Sequence, residues 1–95
     1  MEAFPAAYLD IRGATLAVVF FEPAFDSRTP QERSTMYSAL QAAAERQGIR
    51  GGVVAVWEDH LGRTRFIAPA QQHPFFQVVN YGQLRAQVNG TIQVS

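Results

Sequence analysis

Cysteine and lysine are both absent from this chain of 95 residues. Without cysteine there is no disulfide framework, no thiol nucleophile and no thiolate metal site. Without lysine, all eight basic residues are arginines, and eight acidic residues balance them to a net charge of zero. A balanced chain has no electrostatic drive toward nucleic acid. Histidine occurs only at His60 and His73, with no spacing that marks a metal site. No metal or cofactor is expected. The longest largely apolar stretch, residues 14–21 with Thr15 inside it, is too short to cross a bilayer. The opening Met1-Glu2-Ala3-Phe4-Pro5 lacks the basic start of a signal peptide. The expectation is a soluble, cytoplasmic protein with no nucleic-acid or membrane partner.

Apolar residues make up 47% of the chain and charged ones 17%, an ordinary globular balance. No repeat, low-complexity tract or linker divides it, so residues 1–95 read as one domain. A domain of this size buries roughly 60–65% of its unfolded surface. Seven phenylalanines are a large aromatic volume for so small a shell, and some of that surface is expected to need a cover.

The clearest local signal is a helix marked at both ends. Thr29 is its N-cap, Pro30 takes the first position, where no N–H is needed, and Glu32 completes a capping box. Met36, Leu40 and Ala43, with part of Tyr37 and Ala44, form an apolar stripe at three- and four-residue spacing. Gly48 supplies a left-handed stop and Ile49 an apolar contact behind it.

Residues 15–21 form the strongest predicted strand, ended by Glu22-Pro23. It is apolar at odd and even positions alike: Leu16, Val18 and Phe20 make one face, Ala17, Val19 and Phe21 the other. Such a strand belongs in the middle of a sheet covered on both sides. Residues 1–13 allow two readings, a short helix opened by Pro5 or a strand at 8–11 pairing around Arg12-Gly13. Residues 51–58 and 63–68 read as a hairpin around Asp59-His60-Leu61-Gly62. A four-residue loop would oppose Glu58 to Arg63, Val56 to Arg65 and Val54 to Ile67, leaving Trp57 and Phe66 on one face. In the last quarter, Asn89-Gly90 is a strong hairpin signal. The register it imposes would send Leu84, Ala86 and Val88 away from Ile92 and Val94. A helix from Pro74 to about Tyr81 and a final strand at 91–94 are expected instead.

The resulting order, β-α-β-β-(α)-β, predicts an α+β two-layer sandwich: a mainly antiparallel sheet with helices on one face, ferredoxin-like in topology. The run Val18-Val19-Phe20-Phe21-Glu22-Pro23 ahead of a helix is similar in outline to thioredoxin-like proteins. The active-site cysteines are missing and a hairpin stands where that fold needs a helix, so no family is assigned.

Candidates for chemistry are sparse. Glu58-Asp59-His60 with Arg63 and Arg65 is the densest polar cluster, suited to acid–base work or anion binding, or simply to a solvated turn with Arg63 neutralising Glu58. His73 precedes Pro74 at a helix start and either meets His60 in space or caps and packs locally. One helical layer leaves Leu16, Val18 and Phe20 uncovered, which makes them candidates for a homodimer interface unless residues 1–13 fold over them. The expected function is therefore a non-enzymatic domain acting by association, as a homodimer or as a module for a protein or a small apolar or anionic ligand. The alternative is a small enzyme of the dimeric α/β-barrel kind, with a cavity lined by Phe20, Trp57 and Phe66 and a histidine acid/base.

Overall fold

The computed structural model describes residues 2–11 and 13–94; Arg12, at the predicted N-terminal turn, lies outside them. Strands β1 (Glu2–Ile11) and β2 (Ala14–Phe20) form an antiparallel hairpin, so the N-terminal segment takes the strand reading. Strand β2 runs parallel to β3 (Val53–Glu58), and β3 pairs antiparallel with β4 (Thr64–Ile67). Strand β5 (Gly90–Val94) closes the far edge antiparallel to β1. The order β4-β3-β2-β1-β5 makes an open mixed sheet in which three of four pairings are antiparallel. The predicted ferredoxin-like pattern is not found, because β1 is a full strand inserted between β2 and β5.

Helix α1 (Pro30–Arg46) carries both predicted end signals. The Thr29 hydroxyl accepts from the Glu32 N–H at 3.1 Å, and the Glu32 carboxylate accepts from the Thr29 N–H at 2.9 Å. At the other end Gly48 has φ 75°, and the N–H groups of Gly48 and Ile49 bond back to Glu45 and Ala44. These bonds satisfy carbonyls that the helix itself leaves unpaired. Leu40, Ala43 and Ala44 are buried against Ala17, Val19, Val53 and Ala55 of the sheet. The Tyr37 hydroxyl donates to the Val53 carbonyl at 2.7 Å and ties the helix to β3.

The opposite face is also covered, which corrects the expectation of helices on one side only. Leu16, Val18 and Phe20 are 1%, 0% and 3% exposed. The cover within the chain is not residues 1–13. It is the stretch after β4, where α2 (His73–Phe76) and α3 (Tyr81–Arg85) contribute Phe76 and Leu84 to a second core with Ala7, Val54 and Val56. Burying each large side chain there is worth about 1.5–3 kcal/mol, enough to hold fragments too short to be stable helices alone. The continuous helix expected over residues 74–81 is interrupted because Asn80 starts a new one. Its side chain accepts from the Gln83 N–H at 2.7 Å while Gln83 accepts from the Asn80 N–H at 3.2 Å.

Asn89-Gly90 does not turn a hairpin. The Asn89 amide side chain accepts from the Tyr8 N–H at 2.9 Å and donates to the Tyr8 carbonyl at 3.3 Å, so it stands in for a strand partner. Glycine follows because the Tyr8 ring lies across it: a Cβ on Gly90 would come within 2.9 Å of that ring. Among the described residues, no helix is long and apolar enough to cross a membrane.

The β3–β4 register is one residue away from the expected one. Val56 faces Phe66 and Trp57 faces Arg65. The Gly62 N–H bonds to the Asp59 carbonyl and Gly62 has φ 78°, giving a three-residue loop with a left-handed third residue. Because side chains alternate, this one-residue change moves Phe66 to the face opposite Trp57.

Candidate functional site

The β1–β2 ladder stops at the Ala6–Val19 pair. The next pair would be Pro5 with Phe20, and proline has no N–H to donate. The two strands therefore part at this end of the sheet and leave a cleft of about 530 Å³. Phe4, Pro5, Phe20 and Phe21 line it from the strands, residues 22–25 and Arg28 from the segment after β2, and Tyr81 and Arg85 from α3.

Both walls are fixed from behind. The 3₁₀ turn Pro23–Ser27 is anchored by Phe25, whose ring stacks on Phe21 at 4.4 Å and meets Trp57 edge-on at 4.8 Å. Asp26 accepts from the Trp57 indole N–H at 3.1 Å, and the Arg33 guanidinium donates to the carbonyls of Asp26 and Arg28 at 3.1 and 2.6 Å. On the other wall the Tyr81 N–H donates to the Thr64 hydroxyl at 2.7 Å, its ring meets Phe20 edge-on at 5.6 Å, and Leu84 is buried beneath. The Arg85 guanidinium lies over the Phe20 ring at 5.4 Å.

The charge in the cleft is unbalanced: two guanidinium groups against the single carboxylate of Glu22. Among the described residues, no carboxylate lies within 4 Å of Arg28 or Arg85. The Arg28 charge reaches Glu32 electrostatically, but the Thr29 hydrogen bonds are the main reason the Glu32 carboxyl lies below its ordinary range.

Of the residues singled out from sequence, Phe20 lines this cleft, and the polar cluster and both histidines lie elsewhere. The polar cluster is a turn built around Asp59. Its carboxylate accepts from the Leu61 and Arg63 N–H groups at 2.9 Å each and from the Arg63 side chain at 3.0 Å, with Arg65 at 3.9 Å. Arg63 thus pairs with Asp59 and not with Glu58. Desolvation pushes the Asp59 carboxyl up, but the hydrogen bonds and charge of Arg63, with the Leu61 N–H, outweigh it and hold it below its ordinary range. His60 is 81% exposed on the same turn, 4.0 Å from Asp26. His73 bonds to the Ala68 carbonyl at 2.9 Å and packs edge-on against Phe66 at 5.4 Å, the local packing role. It sits beyond the far end of β4 from His60, so the fold does not bring the histidines together. Phe20, Trp57 and Phe66 do not line one cavity, since Trp57 belongs to the α1-side core and the other two to the opposite face.

Sequence reasoning passed over Arg28 and Arg85 because they are 57 positions apart, one past a turn and one in a short helix. Pro5 was the available signal: a proline inside a strand stops pairing on one side and opens space there. No protein-family model matches the chain, and no curated protein or solved structure does either.

Proposed function

We propose that this domain is a non-enzymatic binding module whose ligand is a small organic molecule seated between β1, β2 and α3. The observation that carries this reading is the preformed cleft, with a phenylalanine floor, walls locked by buried aromatics and hydrogen bonds, and a volume of about 530 Å³. Small-ligand sites are concave, with apolar side chains beside a few polar groups, and are largely shaped before the ligand arrives. The homodimer reading rested on an uncovered face of β2, and the chain supplies that cover itself. The histidine acid/base reading gains nothing from the cleft, which neither histidine lines.

The test is a titration of uniformly ¹⁵N-labelled protein with 2-naphthylmethanol and 2-naphthoate. Binding in the cleft moves the amide signals of Phe4, Phe20, Phe25 and Arg85 and leaves those of His60 and Arg50 in place. Shifts confined to the β3–β4 turn, or no shifts with either probe at millimolar concentration, would overturn the proposal.

A further inference from the structure

We infer that the ligand of the cleft is a planar aromatic acid, a flat ring bearing a carboxylate or phosphate, held by Arg28 and Arg85 with its ring beside Phe4 and Tyr81. The inference rests on the binding-module reading and narrows it to one chemical class. Two observations point to it independently. The lining is aromatic: Phe4 and Tyr81 are half-buried in it, beside a buried Phe20 whose ring takes the edge of Tyr81 at 5.6 Å and the guanidinium of Arg85 at 5.4 Å. The rim is cationic, with one guanidinium from each wall and, among the described residues, no ion-pair partner for either. Elsewhere the chain does use its arginines against its own groups: Arg63 on Asp59, Arg33 on the carbonyls of Asp26 and Arg28. Arg28 and Arg85 both line the cleft, each exposed at its rim.

A guanidinium fork matches the paired oxygens of a carboxylate or phosphate and stays protonated at any pH a protein tolerates. Glu22 in the same rim selects for low charge, since a polyanion would bring excess negative charge against it. The class is therefore a compact acid on a ring, not an extended polyphosphate. Pro5 belongs to the device as well: Pro5→Ala would offer an N–H toward Phe20, let the ladder run one pair further and narrow the floor.

The experiment compares three probes on the full chain by isothermal titration, with Trp57 fluorescence as a second readout, since that indole packs on Phe25 of the wall. The probes are 2-naphthoate, 1-naphthyl phosphate and the neutral 2-naphthylmethanol. At least one acid should bind roughly tenfold or more tightly than the alcohol, the ratio expected of charge-assisted hydrogen bonds at an exposed rim. Arg28→Gln and Arg85→Gln should each erase most of that advantage, lowering acid affinity far more than alcohol affinity, and Arg50→Gln should change neither. Which acid wins separates a carboxylate from a phosphate headgroup. If alcohol and acids bind equally, the acid class is wrong while the binding module stands. If none binds at millimolar concentration, both fall.

Discussion

The two helical covers of the sheet are built on opposite principles. On one face α1 is a 17-residue helix with a capping box at its start and a glycine stop at its end, and every device that makes it helical lies within its own sequence. On the other face α2 and α3 are four and five residues long, lengths that are not stable as isolated helices. Their conformation follows from the core they cover: Phe76 and Leu84 are placed against Leu16, Val18 and Phe20, and the backbone takes the shape that permits this. The first cover is written locally and then docks. The second is specified by docking. The difference matters for function, because the cleft is walled on one side by α3, an element on the weakly self-organised face.

The largest expected effect comes from Phe20→Glu. If β2 is sealed within the chain, Phe20→Glu removes a ring that is 3% exposed and puts a carboxylate in its place in the second core, a loss of packing and a desolvation cost that the neighbouring Arg85 offsets only in part, and the variant should melt well below the wild type. Wild type should show a monomer mass by light scattering. A folded Phe20→Glu protein whose only change is a lower mass would restore the homodimer reading. Next, Leu40→Ala should cost about 2–5 kcal/mol and Phe76→Ala about 3–5 kcal/mol, with different patterns in hydrogen exchange. Leu40→Ala should lower protection throughout, whereas Phe76→Ala should first release residues 73–86 as a local opening. Equal loss everywhere in both variants would remove the distinction between the covers.

Smaller effects sharpen the comparison at the helix starts. Thr29→Ala should cost about 1 kcal/mol, since α1 keeps its stripe, and should lower the chemical-denaturation midpoint without changing the slope. Asn80→Ala should be felt mainly as a weakened α3 and a looser cleft, read as reduced protection at residues 81–85.

The mildest test is pH. The Asp59 and Glu32 carboxyls both lie below their ordinary range in the folded state, so their contribution is present at neutral pH and lost as pH falls through their folded values. Burial raises the Tyr8 and Tyr37 phenols, partly offset at Tyr37 by a hydrogen bond with Gln41. Their contribution is present below the ordinary phenol range and lost as pH rises through the folded values. Melting temperature should therefore be flat near neutrality and fall at both extremes. Asp59→Asn should flatten the acid limb and Tyr37→Phe the alkaline limb. A limb unchanged by its substitution would show that another group governs it.

Sequence by itself determined α1 from cap to stop, the central place of β2 with both flanks apolar, and the existence of the β3–β4 hairpin. These depend on neighbours within one or two turns, or on alternation along one strand, and such patterns survive without knowledge of the rest of the chain. Tertiary structure decided the remainder. It set the β3–β4 register through the left-handed Gly62, turned Asn89-Gly90 from a hairpin signal into a clamp on Tyr8, and folded residues 70–86 over Leu16, Val18 and Phe20. The cleft belongs to that second group: Pro5, Arg28 and Arg85 are distant in the chain, and only the closing of both covers brings them to the same end of the sheet.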